Sequence, residues 1–343
     1  MVDASRQIVE CVPNFSDGRR PEVLEAIADR IRAVEGVRLL SAEPDRDYNR
    51  SVVTFVGTPA GVVEAAVRAT HEATERIDMR QQKGEHPRMG ATDVVPFVPV
   101  AGVTMEECVA MARAYGERVS RELAIPVFLY EAAASRPERR NLAAIRKGEF
   151  EGLGEKFADP EWTPDFGPRR PHPTAGATVT GARTFLIAYN VNLSTDNVEL
   201  AQEIALRIRE SGRVKRGADG KPLTDANGKK VTVPGTLRAV KAMGVLLEAH
   251  HIAQVSMNLV DFHVTPPHVA FEEVARQAAT LGLEVTGSEI VGLTPKEALL
   301  LAGRHWAVGE TDEDRLVATA VERLGLGSLE EFHPEQKVIE YNL

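Results

Sequence analysis

The sequence has little cysteine and no long hydrophobic run. Two cysteines, Cys11 and Cys108, occur in 343 residues, too few for the disulfide framework of a small secreted protein. Both lie in apolar stretches, which favours buried thiols over reactive ones. No apolar run reaches the ~18 residues of a membrane-spanning helix, and residues 1–10 lack the apolar segment of a signal peptide. We therefore predict a cytoplasmic location.

Positive charge and the common recognition motifs are also scarce. Fifty acidic residues against 41 basic ones give a formal net charge of −9, which argues against a broad nucleic-acid footprint. No strand is followed by a G-x-G-x-x-G fingerprint, and neither a G-x-x-x-x-G-K-[ST] phosphate loop nor a G-x-S-x-G elbow occurs. The nine histidines show no metal-ligand spacing, so we expect no metal site.

The length and the predicted order of elements indicate two domains. A single core usually stops growing at ~250–300 residues, and this chain has 343. Apolar periodicities predict strands and helices in the order β-α-β-β-α-β in each half of the chain. This order is typical of an α+β fold with two ferredoxin-like split β-α-β subdomains. We place the subdomains at 1–181 and 182–330, followed by a C-terminal tail, 331–343.

Two segments interrupt this pattern. Residues 148–182 are rich in glycine and proline, which predicts little regular structure and either a linker or a functional loop. Residues 213–231 carry Asp-Gly and Asn-Gly turn signals among basic side chains. These signals predict an exposed β-hairpin or a mobile flap, either a solvated decoration or an active-site lid.

Three polar clusters contain the candidate chemistry. The histidine loop (83–90) is predicted between a helix and a strand, and its His86 can both take and give a proton near pH 7. The acidic turn (43–50) is predicted to connect two strands, and its carboxylates could orient a histidine or hold an ammonium group. The glycine-proline loop (165–176) suits a flat heteroaromatic ligand. A solvated surface loop, or an interdomain linker for the third cluster, is the alternative interpretation.

These clusters resemble the formiminotransferase domain family. The matching strings are 9–16, 49–57, 83–90, 164–168, 181–188, 253–256, 287–288, 291–293 and 339–341. Several are long and uncommon, and together they run nearly end to end. The resemblance implies a homodimer and two subdomains whose sheets face each other across a substrate cleft.

The resemblance also implies an activity and the residues that perform it. The family transfers a formimino group between N-formimino-L-glutamate and N5 of tetrahydrofolate, a co-substrate, in histidine degradation and without a metal. Its catalytic histidine matches His86. A family aspartate that assists this histidine aligns with Glu43, so Glu43 or Asp45 would take that role. Its folate-contacting loop matches Gly167, Pro168, Arg169, Arg170, Pro171, His172, Pro173, Thr174, Ala175 and Gly176.

Further expectations concern the donor, the partners and the rival functions. Arg50, Arg88 and Arg183 lie beside the matching strings and are candidates to bind the glutamate carboxylates. Animal members of the family continue into a cyclodeaminase domain, so we expect that activity to be absent or on a separate polypeptide. Formyl transfer from N-formylglutamate is an alternative, because both donors present a one-carbon centre beside the same glutamate. A folate carrier and a scaffold for protein contacts are rivals from other classes.

Overall fold

The computed structural model describes residues 7–46, 48–84, 87–217, 220–225, 228 and 230–342. The chain divides between Arg183 and Thr184 into two compact units. Each unit has its own hydrophobic core, as the length of the chain requires. None of the helices in the described residues is long and apolar enough to cross a membrane.

The first unit is a mixed sheet with helices on both faces. Its elements are β1 (Ile8–Cys11), β2 (Asn14–Phe15), α1 (Pro21–Arg32), β3 (Val37–Asp45), β4 (Arg50–Gly57), α2 (Pro59–Arg76), β5 (Thr92–Ala101), α3 (Met105–Leu123), β6 (Val127–Glu131), α4 (Leu142–Arg146), α5 (Leu153–Ala158) and β7 (Thr178–Ala182).

The strand order of this sheet contains the predicted split β-α-β module. β3, β4, the β1–β2 pair and β5 lie side by side and antiparallel, while β7 and then β6 extend the sheet in parallel beyond β5. Helices α1 to α3 pack against one face, where alternate strand residues such as Val9, Cys11, Phe55 and Phe97 are buried. A smaller core on the opposite face joins Phe128 of β6 to α4 and α5.

Two predictions for the first unit are wrong in their local structure. Residues 148–182 contain α5 and β7, and β7 lies between β5 and β6. That segment is therefore part of the first unit and not a linker between the two units. The acidic turn is shorter than predicted, because β3 continues through Glu43 to Asp45, which pairs with Arg50 at the start of β4.

The second unit confirms the predicted β-α-β-β-α-β order. Its elements are β8 (Ile187–Leu193), α6 (Val198–Ile208), β9 (Arg213–Val214), β10 (Thr232–Val233), β11 (Val240–Leu247), β12 (Ile252–Leu259), α7 (Pro267–Ala279), β13 (Val285–Val291), α8 (Lys296–Trp306), α9 (Glu313–Leu324) and α10 (Pro334–Lys337). The sheet has the antiparallel order β11-β12-β8-β13. An α+β fold of two subdomains is thus confirmed.

Local features account for the remaining segments. β9 pairs with β10, and between them Arg216 pairs with Pro222 and Thr224 with Lys230, so the described part of the 213–231 segment contains two short β-turn pairings inside the β9–β10 ribbon. Gly220 and Gly228 adopt a φ of +76°, which tight hairpin turns favour. After α9, Val338 joins the core of the second unit, so the segment expected as a C-terminal tail packs against the fold.

Both cysteines are buried in the core of the first unit, as predicted. Their exposed fractions are 0%. Burial raises the pKa of the Cys108 thiol to about 12 and raises the pKa of Cys11 well above its usual range. Both thiols are therefore protonated near neutral pH and pack as small apolar side chains.

His268 is expected to make the second unit less stable in acid. Its exposed fraction is 9%, its ring stacks on His305 at a centroid distance of 4.6 Å, and its Nδ1 has no hydrogen-bond partner in the described residues. Burial and the neighbouring His305 lower its pKa below the ordinary value of 6.5. The unfolded chain therefore binds this proton more readily, and the free energy of unfolding falls as the pH drops below 6.5.

Chemical denaturation of H268Q, measured between about pH 7 and pH 5, checks this expectation. The variant should lose less stability over that range than the wild type. H263Q, which replaces an exposed histidine, should follow the wild type. Equal acid sensitivity of H268Q and the wild type would contradict the account.

Candidate functional site

Asn49 joins the acidic turn to the histidine loop. It has a left-handed conformation with a φ of +50°, which asparagine tolerates better than most residues. Its Nδ2 donates to Gln82 Oε1 at 2.6 Å and to the Lys83 carbonyl at 2.9 Å, and its Oδ1 accepts from the Gly18 amide at 3.1 Å. A Cβ on Gly84 would lie 2.6 Å from the Asn49 Cβ, so the two segments are in close contact. Two clusters that lie apart in the sequence thus form one region.

The candidate carboxylates lie on β3 rather than in a loop. Glu43 pairs with Val52 and Asp45 with Arg50, so Glu43, Asp45 and Arg50 share one face of the sheet. Glu43 is exposed, whereas Asp45 is half-buried and its Oδ1 accepts from the Tyr48 amide at 3.0 Å. Glu43 therefore presents its carboxylate to solvent, while Asp45 also stabilises the turn.

The predicted catalytic residue His86 lies outside the described residues, as do Glu85 and Asp47. Its described neighbours along the chain are firmly held. Gly84 packs against Asn49 on one side, and Arg88 is buried on the other, with an exposed fraction of 7%. Both ends of the short segment that carries His86 are therefore fixed.

Arg88 anchors the histidine loop to the turn before α5. One of its terminal nitrogens donates to Glu149 at 2.8 Å, and the other donates to Glu151 at 2.8 Å and to the Gln82 carbonyl at 2.9 Å. The Arg88 carbonyl accepts from the Phe150 amide at 2.9 Å. Both terminal nitrogens are thus used within the protein, whereas the buried Arg88 Nε has no hydrogen-bond partner in the described residues. These bonds anchor the loop, and a role of Arg88 in binding glutamate stays a prediction.

A buried group of charges, which the sequence analysis missed, lies beside this loop. Asp93 has an exposed fraction of 1%, accepts from the Met89 amide at 2.8 Å and forms an ion pair with Arg146. Burial raises the pKa of Asp93 against the opposing effect of Arg146, and burial lowers the pKa of Arg50. The positive charge of Arg146 also lowers the pKa of Arg50, and the negative charge of Asp93 raises it.

This charged group has unsatisfied donors. The Nε atoms of Arg50 and Arg146 are both buried and have no hydrogen-bond partner in the part of the chain that the structure describes. Arg50 donates a bond from a terminal nitrogen to Asn14 Oδ1 at 3.3 Å. Both guanidinium groups lie near the buried carboxylate of Asp93, and the half-buried Asp45 on β3 also acts on Arg50. A carboxylate ligand would satisfy the donors that have no partner.

The glycine-proline loop begins against β6 and α3. Asp165 forms an ion pair with Arg139 at 3.0 Å and accepts from the Leu129 amide at 2.8 Å. Gly167 has a φ of +90°, and a Cβ there would lie 2.6 Å from Ser120 Oγ. Close packing at this point therefore requires glycine.

The same loop ends against the histidine loop. His172 and Gly176 exchange backbone hydrogen bonds of 2.8 and 3.0 Å, and the Ala177 amide donates to the Met89 carbonyl at 3.0 Å. A Cβ on Gly176 would lie 2.2 Å from that same carbonyl oxygen. All three predicted clusters are thus linked within the first unit.

His172 is a neutral hydrogen-bonding group in this loop. Its Nδ1 accepts from the Ala175 amide at 2.9 Å, and burial lowers its pKa. Because Nδ1 is the acceptor, Nε2 carries the proton and can donate to a ligand. Of the other candidates in the loop, Ala175 and Gly176 are buried, while the side chains of Arg169, Arg170 and Pro173 are exposed.

Arg183 lies at the end of the first unit, away from the charged group around Asp93 in the sequence. Its amide donates to the Phe97 carbonyl at 3.2 Å, and the positive charge of its guanidinium affects the pKa of the buried Tyr130 hydroxyl. Burial raises the pKa of Tyr130, and Arg183 opposes that shift.

Among the described residues, no group of three or more histidine, cysteine, aspartate or glutamate side chains could hold a metal ion.

Comparison with known proteins places this geometry in a family. Residues 8–183 match the model of the formiminotransferase domain, N-terminal subdomain, and residues 188–343 match the model of the formiminotransferase domain. The chain belongs to the formiminotransferase domain family. The resemblance predicted from the sequence strings is therefore confirmed.

Relatives of two lengths carry this domain. The chain is 46% identical to the glutamate formimidoyltransferase of Streptococcus pyogenes serotype M1, covering 88% of this chain and 93% of that protein. It is 42% identical to the protein of that name from Thermoplasma acidophilum, covering 92% and 98%. It is also 50% identical to the formimidoyltransferase-cyclodeaminase of Gallus gallus, covering 98% of this chain. The chain spans 60% of the length of that longer relative.

Removal of the Arg88 side-chain charge is expected to loosen the histidine loop. R88Q loses the ion pairs with Glu149 and Glu151, and a charged hydrogen bond contributes about 1.5–3 kcal/mol. Lys83 is exposed in the same loop and is a natural site for trypsin. Limited proteolysis should therefore cut R88Q after Lys83 about ten-fold faster than the wild type, because cleavage follows the population of the open loop.

R80Q is the matched control. Arg80 lies just before the same loop and pairs with Asp78, and its side chain is 62% exposed. Because exposed ion pairs contribute little, R80Q should be cut after Lys83 at nearly the wild-type rate. Equal cleavage of R88Q and R80Q would mean that Arg88 does not anchor the loop.

Proposed function

We propose that this chain is a glutamate formimidoyltransferase, which transfers the formimino group between N-formimino-L-glutamate and N5 of tetrahydrofolate. The observation that carries the proposal is the match of both family models, together with relatives of that name that the chain covers almost completely. The linked histidine loop, acidic turn and glycine-proline loop support it. Tetrahydrofolate is then a co-substrate, and the expected reaction requires no metal.

The proposed reaction needs one group that both takes and gives a proton. N5 of tetrahydrofolate forms a bond to the amidine carbon of the donor, and N5 loses a proton. The glutamate nitrogen gains a proton as its bond to that carbon breaks. His86 would take the first proton and give the second, and such positioned proton transfer is typically worth ~10²–10⁴-fold in rate. The contact of Gly84 with Asn49 and the bond of Arg88 to Glu151 hold the described residues on either side of His86.

Glu43 is our choice for the carboxylate that orients His86. It is exposed on the face of β3 that also carries Asp45, and no hydrogen bond commits its carboxylate within the described residues. Asp45 stabilises the turn through the Tyr48 amide. A carboxylate bonded to one imidazole nitrogen fixes the tautomer that leaves the other nitrogen free to act as a base.

Arg50 and Arg146 are our choice for the groups that bind the donor carboxylates. Their buried Nε atoms have no partner in the described chain, and both guanidinium groups lie near the buried carboxylate of Asp93. The folate is assigned to residues 167–176, where the Nε2 proton of His172 can donate. Arg183 remains a candidate for the second carboxylate.

The other family expectations complete the proposal. Formyl transfer, the alternative raised from the sequence, has no support among the named relatives, which are formimidoyltransferases. The family resemblance implies a role in histidine degradation, a homodimer and a separate cyclodeaminase partner. The cytoplasmic location stays a prediction from the sequence composition.

A turnover assay with the purified chain tests the proposed activity. Tetrahydrofolate is offered with N-formimino-L-glutamate or with N-formyl-L-glutamate, and free glutamate and product folate are measured. We expect activity with the formimino donor. H86A should lose ~10²–10⁴-fold in kcat while remaining folded.

H71A is the control, because His71 is 39% exposed on α2 in the same unit and should be dispensable. Wild-type turnover in a folded H86A would remove His86 from the mechanism. No wild-type turnover with either donor would contradict the proposed function itself.

Arg146 and Arg50 are tested by the Michaelis constant for the donor. R146Q and R50Q each remove a charged donor, so KM for N-formimino-L-glutamate should rise about 10–100-fold, while KM for tetrahydrofolate changes little. R140Q, which alters an exposed arginine just before α4, is the control. Thermal melting checks that the variants fold. An unchanged donor KM in both folded variants would exclude the assignment.

A further inference from the structure

A buried ion pair lies directly before the exposed part of the glycine-proline loop. Arg139 ends the 3₁₀ turn Pro137–Arg139, which follows β6, and its Nη1 donates to Asp165 Oδ2 at 3.0 Å. The side chains of Arg139 and Asp165 are 2% and 10% exposed. Neither residue has a role in the reaction proposed above.

The Arg139 guanidinium is held from several sides. Its Nη2 donates to the Glu161 and Thr163 carbonyls, each at 2.7 Å. Its Cζ lies 5.2 Å from the centroid of the Phe128 ring and 5.8 Å from that of the Trp162 ring. At these distances the face of an aromatic ring attracts a cation. The carbonyls and the rings together fix the plane of the guanidinium.

The Asp165 carboxylate is also held from several sides. Its Oδ2 accepts from the Leu129 amide at 2.8 Å, in addition to Arg139, and its Oδ1 accepts from the Ser135 hydroxyl. The Asp165 amide donates to the Val127 carbonyl at 2.9 Å. Asp165 therefore joins the start of the glycine-proline loop to β6 and to the segment that follows β6.

Stability alone does not account for a buried ion pair at this position. Removal of two charges from water is costly, and a buried ion pair is often no more stabilising than apolar side chains of similar volume. A carboxylate with fixed hydrogen bonds does, however, set the path of the chain. Asp165 lies two residues before Gly167, where the loop turns with a positive φ.

The pair controls one end of a loop whose other end is already fixed. Gly176 exchanges backbone hydrogen bonds with His172 and packs against the histidine loop. Between the two ends, Arg169, Arg170 and Pro173 are exposed, so the middle of the loop is open to a ligand. A loop that is ordered before binding loses less conformational entropy when the ligand binds.

We propose that the Arg139–Asp165 pair positions residues 167–176 for binding tetrahydrofolate, the ligand that the proposed function assigns to this loop. Both are positioning residues, because they act on the folate through the backbone of the loop. Without the pair, the start of the loop would adopt several conformations, and only some of them would bind. Folate affinity would then fall with the fraction of binding-competent chains. The donor, which is assigned to Arg50 and Arg146, would bind as before.

Equilibrium binding to the full chain tests this inference without turnover. The probe is 5-methyltetrahydrofolate, whose N5 is blocked, and titration calorimetry measures its dissociation constant. D165N keeps the size of the side chain but removes the charge that pairs with Arg139, so the dissociation constant should rise about ten-fold. R139Q should have a similar effect. In the turnover assay, both variants should raise KM for tetrahydrofolate and leave KM for N-formimino-L-glutamate nearly unchanged.

E72Q is the matched control for a general loss of stability. Glu72 is a buried carboxylate in the same unit, with an exposed fraction of 4%, and it pairs with Arg30 of α1 and Arg76 of α2. E72Q should lose stability without weakening folate binding. A folded D165N with wild-type affinity would overturn the inference, as would an equal loss of affinity in E72Q.

The inference and the proposed function fail in different ways. Wild-type turnover together with unchanged binding by folded D165N overturns the inference alone. Binding that depends on Asp165 in a chain without turnover supports the inference and contradicts the function. A wild type that neither binds the probe nor turns over contradicts both.

A milder variant keeps the test decisive if D165N and R139Q do not fold. S135A removes one hydrogen bond to the same carboxylate, and Ser135 is exposed, so the fold should tolerate the change. The dissociation constant of the probe should rise about three-fold. An unchanged dissociation constant in S135A would overturn the inference.

Discussion

The paired hold on the histidine loop is the constraint on which the rest of the candidate site depends. Arg88 lies almost fully buried, and a buried guanidinium is tolerated when carboxylates and carbonyls surround it. Asn49 holds the other end of the loop through the Lys83 carbonyl. The described residues on both sides of the predicted His86 are thus held by the fold, and in the proposed reaction such positioning would contribute to catalysis.

The fold makes this constraint possible because the two faces of each sheet carry different kinds of side chain. Alternate residues along every strand point to opposite faces, so a strand can pack against helices on one side and present polar groups on the other. In the first unit, β3 and β4 present Glu43, Asp45 and Arg50 in this way. In the second unit, Asn190 of β8 and Gln254 of β12 donate hydrogen bonds to Glu289 of β13. The repeated split β-α-β order thus gives each unit a sheet that buries apolar side chains and also holds hydrogen-bonded polar ones.

Much of the fold could be predicted because its signals are local. The helix over Pro21–Arg32 follows from a proline at its start and a buried apolar stripe that includes Val23, Ile27 and Ile31. β7 was missed because its partners are distant in the sequence, and the glycines and prolines before it predict irregular structure. The extension of β3 to Asp45 was missed because its charged residues and proline predict a turn, whereas pairing with β4 keeps the strand extended.

The candidate site shows the same limit. His86 stays a prediction, made because its ordinary pKa suits proton transfer and its neighbours resemble a known family. The sequence marks Asp93 only weakly as a site residue, because it is a charge at the start of an apolar strand. Nothing in the sequence marks Arg146. Their pairing joins positions 53 residues apart, and their relation to Arg50 depends on packing that no short pattern encodes. Arg88 was named from the sequence as a candidate to bind the glutamate carboxylates, but its bonds to Glu149 and Glu151 could not be predicted from the sequence.

One measurement tests the central claim most directly. N-formimino-L-glutamate labelled with ¹³C in the formimino carbon is incubated with tetrahydrofolate and the purified chain, and the products are identified by NMR and mass spectrometry. The account predicts that the label appears on N5 of tetrahydrofolate, with one free glutamate formed for each labelled folate. Release of glutamate without labelled folate would indicate hydrolysis instead of transfer. That result, or a donor left intact, would contradict the account.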